Sequence, residues 1–188
     1  SSAASDVYKR QRKYYPEFRV SINLSYVQIL KSPLMMELKQ IIEHSGISCS
    51  GIIVELTESG YLEGTPAVRS VWNDMKQLRI QIALDDFGTG YSNLMNISNL
   101  EPDIVKLDRG FTLKALSRSY EYQLMQYVIE MVHKLNQYVC VEGVETKEDL
   151  EKIKALGPDL IQGYYYSKPC SRDEFLKKFF CLLYTSPS

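Results

Sequence analysis

The sequence predicts an α/β fold built on a parallel sheet. Three observations carry that expectation. Six short runs rich in Val, Ile and Leu are separated by stretches with helical signals. Ser, Thr and Pro stand where those helices begin, and Gly where two of them end. A polar residue stands at or just past the end of each apolar run. Alternation of strand and helix favours parallel pairing, because each return crossover has the length of a helix. It leaves open whether the sheet is open or closed into a barrel.

The strands fall at 18–24, 52–56, 80–84, 104–107, 138–141 and 160–163. After the first, Ser32-Pro33 opens a helix, with Ser as N-cap and Pro at the first helical position, and Gly46 closes it. Thr65-Pro66 repeats the signal for a helix running to about Leu78. Residues 118–136 place Leu124, Val128, Met131, Val132 and Leu135 at helical spacing. Thr146 with Asp149 three residues on starts another helix, and Gly157-Pro158 stops it. Ser171 and Glu174 form a capping box for the last.

Side chains alternate along a strand, so a polar residue among apolar ones marks a face. Phe18, Val20, Ile22 and Leu24 share one face of the first strand, Ser21 and Asn23 the other. The second strand delivers Glu55 and then Glu58. The third delivers Asp85-Asp86, followed by Phe87-Gly88-Thr89-Gly90. The fourth delivers Lys106 and Asp108, the fifth Glu142 and then Gly143-Val144-Glu145, the sixth Gln162-Gly163. A single polar residue at a strand end commonly caps the following helix. Six of them converge on one rim, because parallel strands all end on the same side, where α/β active sites lie.

Asn23, Glu55, Asp85 and Asp86 offer hard oxygen donors without imidazole or thiolate, which selects Mg²⁺ or Mn²⁺ over zinc or copper. Packed together they repel, and a divalent ion relieves that repulsion. Adjacent Asp residues at a strand end can serve two ions, about 3.5–4 Å apart, which clamp both oxygens of a phosphoryl transfer. Lys106 is the one cation among these ends: it holds or activates a water, neutralises a phosphate, or forms a structural ion pair. The Gly88-Thr89-Gly90 turn tolerates positive φ. No P-loop or dinucleotide fingerprint is present.

Composition narrows the classes further. In 188 residues, 22 Lys+Arg stand against 23 Asp+Glu, a net charge of −1, which argues against a nucleic-acid polymer as partner. No apolar run reaches the roughly 18 residues of a bilayer span. Cys49, Cys140, Cys170 and Cys181 form no C-x-x-C pair and read as single buried thiols of a reducing compartment. His44 and His133 are too few for a His-rich metal site.

The runs SINLS, ELTES, DDFGTGYS, KLD, VEGVET and QGYYYSKP resemble the EAL domain, the bacterial cyclic di-GMP phosphodiesterase module, over about residues 14–180. The resemblance implies a TIM-like (β/α)8 barrel with one antiparallel strand. It implies metal-dependent hydrolysis of one phosphodiester bond of cyclic di-GMP to linear pGpG. Asn23, Glu55 and Asp85 would ligate one Mg²⁺ or Mn²⁺, and Asp85 with Asp86 a second. Lys106 and Glu142 would position and deprotonate the attacking water, with Glu142 as general base, and Gln162 would hold the water network. Glu58, Phe87, Gly88, Thr89 and Gly90 would couple the metal site to a dimer interface. A homodimer, a cytoplasmic domain and upstream sensor or diguanylate-cyclase domains are further implications.

The family's naming Glu-x-Leu motif and its first two strands are missing from this pattern. The expectation is a partial EAL domain over 12–181, with 1–11 and 182–188 as non-native or disordered ends, inactive and poorly stable alone. Three other readings compete. One is a non-catalytic cyclic di-GMP-binding regulatory module, another an unrelated metal-dependent barrel enzyme with Lys106 as base, and the third a structural interaction module.

Overall fold

The structure, a computed structural model, describes residues 12, 17–30, 33–45, 48–57, 66–89, 97 and 100–180. Its elements are β1 (Val20–Asn23), α1 (Tyr26–Leu30), α2 (Leu34–Ser45), a 3-10 turn (Cys49–Gly51), β2 (Ile52–Thr57), α3 (Pro66–Gln77) and β3 (Gln81–Phe87). They continue as β4 (Ile104–Leu107), α4 (Arg109–Ser117), α5 (Ser119–Lys134), β5 (Tyr138–Glu142), α6 (Lys147–Lys154), β6 (Leu160–Gln162) and α7 (Arg172–Phe180). The six strands form one sheet in sequence order, and each neighbouring pair is parallel.

All six predicted strands are present. Their main departure is β3, which runs on to Phe87 through a bulge. Leu84 pairs with Val105 and Phe87 with Leu107, so Asp85 and Asp86 together oppose Lys106. The extra residue is absorbed at Asp86, which takes a left-handed φ of 61°. Asp is among the few side chains that adopt this conformation with little penalty.

The helix signals hold where they are described, except that Pro33 lies one residue ahead of α2, which begins at Leu34, and its carbonyl accepts from the Glu37 amide. Thr146 and Asp149 exchange their capping bonds, at 3.1 and 3.0 Å. Ser171 and Glu174 do the same at the head of α7. Pro66 is the first residue of α3. Two helices lie beyond the predicted set. Ser25 and Gln28 cap α1, the Gln28 side chain accepting from the Ser25 amide at 2.8 Å. Asp108 caps α4, its Oδ1 accepting from the Gly110 amide at 2.7 Å, so here the polar strand-end residue is a helix cap. Ser32, Gly46 and Thr65 lie outside the described residues.

Successive strand residues face opposite sides, and in β2–β5 both sides are largely buried, whereas β1 and β6 are mostly exposed. Ile52, Val54, Leu56, Ile82, Leu84, Val105, Leu107, Val139 and Val141 join the helix-side core with Val68, Trp72, Met75, Met125, Ile129, Val132 and Ile153. Ile53, Ala83, Ile104 and Cys140 form a separate cluster on the other face. Strands buried on both faces read as continuous apolar runs, which explains the sequence pattern. Of the thiols, Cys140 is buried, Cys49 half-buried and Cys170 exposed, which corrects the expectation of uniformly buried thiols; Cys181 lies outside the described residues. No helix among the described residues is long and apolar enough to cross a membrane.

Candidate active site

Two residues beyond the inner apolar cluster, the same face turns polar. Ile53 is followed by Glu55, Ala83 by Asp85, Ile104 by Lys106 and Cys140 by Glu142. The period of two puts each polar group directly above an apolar one, so four neighbouring strands supply a charged layer on an apolar floor. Register extends the layer at both ends: Asn23 pairs with Glu55 and Gln162 with Glu142. Asn23 and Gln162 are exposed.

Lys106 stands at the centre. Its Nζ is 2.6 Å from Glu142 Oε1, 2.9 Å from Glu55 Oε2 and 3.0 Å from Asp85 Oδ1. Glu55 lies two strands away, with β3 between. Neighbouring strands are about 4.8 Å apart, so the Lys106 and Glu55 side chains together span roughly 10 Å of sheet to meet over β3. The Lys106 side chain is 6% exposed, Glu55 8%, Asp85 14% and Glu142 20%.

Three carboxylates around one ammonium leave the cluster with excess negative charge, and burial sharpens the effect. Desolvation alone would lower the Lys106 pKa. Its hydrogen bonds to Glu142 and Glu55 outweigh that, and the group is held above the ordinary lysine value. Glu142 is raised above the usual carboxylate range, first by burial and then by Asp85 and Glu55, with Lys106 opposing. Asp86 is half-buried and also raised, by burial and by Asp85; its amide donates to Asp85 Oδ1 at 3.0 Å. Burial pushes the Cys140 thiol up to about 12, so it is an inert neutral neighbour below Lys106.

Among the described residues, no three His, Cys, Asp or Glu side chains are grouped as a ready metal site. The Lys106 ammonium occupies the space between the carboxylates instead. Phe87, the last residue of β3, is buried in the core. Gly88 and Thr89 follow in a turn; Gly88 has φ 101° and lies against Phe111. Glu58 and Gly90 lie outside the described residues.

A second ion pair stands on the rim. Arg109 Nε and Nη2 both donate to Glu145 Oε1, at 3.2 and 2.7 Å. Sequence reasoning singled out neither residue for a role. Glu145 stood within the VEGVET run, whereas Arg109 had no signal beyond following Asp108.

The family model described as EAL domain matches residues 1–169. The cyclic di-GMP phosphodiesterase PdeF of Escherichia coli (strain K12) is 32% identical over 158 residues, 84% of this chain and 21% of that protein. The structure of EAL enzyme Bd1971 in its cAMP- and cyclic-di-GMP-bound form superposes with a TM-score of 0.87 at 28% identity, covering 94% of this chain and 48% of that one. The manganese/cyclic-di-GMP complex of Klebsiella pneumoniae BlrP1 superposes at 0.78 and 24% identity over 91% of this chain and 45% of that one, a likeness of fold. The chain spans about a fifth of PdeF and about half of the solved chains.

Proposed function

The chain belongs to the EAL domain family, and on that premise we propose that its charged layer serves the hydrolysis of one phosphodiester bond of cyclic di-GMP, giving linear pGpG. The observation that carries the reading is Lys106 Nζ within hydrogen-bond reach of Glu55, Asp85 and Glu142, from adjoining strands of one rim. Relatives bearing the activity in their names, PdeF among them, support the substrate class.

The donor set fits hard divalent cations. It is all oxygen, it carries more negative than positive charge, and its one ammonium already marks where positive charge is needed. Asn23, Glu55 and Asp85 would hold one Mg²⁺ or Mn²⁺, and Asp85 with Asp86 a second. When bound, the ions supply Lewis-acid charge at the phosphate.

The chain's own residues do the rest. A water oxygen attacks phosphorus, one P–O bond to the ribose breaks, and the leaving oxygen takes up a proton. Glu142 accepts the proton of the attacking water, and its raised pKa suits a general base. Lys106 holds that water against Glu142 and offsets charge gathering on the phosphate. Gln162, beside Glu142 in register, orients the water through its amide. Homodimerisation belongs to the same proposal, with Glu58, Phe87, Gly88, Thr89 and Gly90 linking site and interface. So do a cytoplasmic setting and joined sensor or cyclase domains.

The test incubates cyclic di-GMP with the 188-residue chain and with the longest encoded protein that contains it, in Mn²⁺, Mg²⁺ or chelator, and separates the nucleotides chromatographically. Metal-dependent pGpG that Asp85→Ala abolishes supports the proposal. Release by the chain itself refutes its expected inactivity in isolation. Nucleotide binding without turnover in the longer protein replaces the enzyme with a cyclic di-GMP receptor.

A further inference from the structure

We infer that Arg109 is a positioning residue for the site: it pins the turn after Glu142 and so fixes Glu142 relative to Lys106 and Gln162. The inference deepens the phosphodiesterase reading and rests on it for the role of Glu142.

The turn Gly143-Val144-Glu145 is held from two sides. On one side is Arg109, the first residue of α4, placed there by the Asp108 cap. Its guanidinium grips Glu145 through two donors on one oxygen. Its stem presses so closely that a Cβ on Gly143 would overlap Arg109 Cγ and Cβ. Gly143 has φ 80°, so both its backbone and the space around it call for glycine. On the other side is β6. A Cβ on Gly163 would overlap the Val144 backbone. The Val144 amide donates to the Gln162 carbonyl at 3.3 Å, and the Tyr165 amide to the Val144 carbonyl at 3.0 Å.

The consequence is geometric. Lys106 and Arg109 lie three residues apart on one rigid segment, the end of β4 and the start of α4. Lys106 binds the Glu142 carboxylate, while Arg109 holds the turn that follows Glu142. The far face of that turn is bonded to the backbone of Gln162. Three candidate catalytic side chains are thereby referenced to one turn, which the buried Val144 side chain anchors in the core and which Arg109 alone, among the described residues, holds through a side-chain hydrogen bond. An exposed ion pair contributes little to global stability, so its effect belongs to local geometry. Misplacing a catalytic group by about 1 Å costs on the order of a hundredfold in rate.

The test uses the longest encoded protein that contains this chain, as Arg109→Ala, Arg109→Glu, Glu145→Arg and the double swap Arg109→Glu/Glu145→Arg. Steady-state kinetics with cyclic di-GMP are paired with amide hydrogen exchange. The expected result is a kcat at least tenfold lower in each single variant, with KM within about twofold, and recovery by at least threefold in the double swap. Exchange at the Val144 amide quickens in Arg109→Ala while that of Val141, inside β5, holds. Unchanged kcat, or a raised KM with kcat intact, overturns the inference, the latter by making Arg109 a substrate contact. If the unaltered protein releases no pGpG, the phosphodiesterase reading has failed, and exchange alone decides. Faster Val144 exchange in Arg109→Ala then upholds the pinned turn, and unaltered exchange removes it.

Discussion

Lys106 meets Glu142 diagonally: its register partner on β5 is Cys140, and Nζ passes that thiol to reach the carboxylate two residues further on, at 2.6 Å. The ammonium therefore stands between the carboxylates of β2, β3 and β5 rather than above its own neighbour. Removing one partner of a buried ion cluster leaves charge uncompensated, at a cost of about 3–5 kcal/mol. Lys106→Met is expected to lose about that much stability in chelator, read by thermal or urea unfolding. Added Mn²⁺ recovers most of the loss, because a cation can take the vacated place. A variant that melts like the unaltered chain in chelator removes the charge argument.

Asp86 combines a left-handed backbone with an acidic side chain, and substitution separates the two. Asp86→Gly keeps the conformation at no steric cost, whereas Asp86→Ala keeps a Cβ there without the short polar side chain that eases it, at about 1 kcal/mol or more. The expected order of melting temperature is therefore glycine above alanine. In the longest encoded protein that contains the chain, both lose pGpG release equally if the carboxylate is a metal ligand, which the chromatographic assay reads.

Two glycines offer a controlled comparison. Gly157 has φ 75° with nothing within 4 Å of an added Cβ, while at Gly163 that Cβ would strike the Val144 backbone. Gly157→Ala is expected to cost about 1 kcal/mol, from the backbone alone. Gly163→Ala, overpacked against main chain that has little room to yield, is expected to cost about 1–3 kcal/mol. Denaturant midpoints at constant slope give both values.

The α7 cap carries a pH signature. Hydrogen bonds from Ser171 hold Glu174 below its ordinary value. A lowered folded-state pKa means the cap contributes fully above the usual glutamate range, and the contribution fades as pH falls through the folded value. NMR titration of the Glu174 carboxyl should show a midpoint below that of a model peptide. Ser171→Ala should raise it part of the way, because it removes the hydroxyl bond and leaves the amide of residue 171 donating to the carboxylate.

Much of this fold was legible because strand and helix leave different periods, and the capping pairs 146/149 and 171/174 name their own helices. α4 was not legible. Gly110 and Thr112 are weak helix formers, and its apolar Phe111, Leu113, Ala115 and Leu116 do not keep to one face, Leu113 being exposed. Packing and the Asp108 cap hold that helix, not propensity. α1 carried a Ser-x-x-Gln box, but it runs only two residues past the box. The polar layer could be anticipated from Glu55, Asp85, Lys106 and Glu142 closing parallel strands. The bulge that sets two aspartates against one lysine, and the Arg109 contact with Gly143, depend on register and approach distances that no linear pattern encodes.

The sheet's sequential strand order has a consequence for how the chain is born. On the ribosome, β2 and β3 emerge before β4, so Glu55 and Asp85 leave the exit tunnel ahead of Lys106. The acids are thus made before their internal counter-ion. Translation thus presents two of the carboxylates to solvent before it presents them to their own lysine.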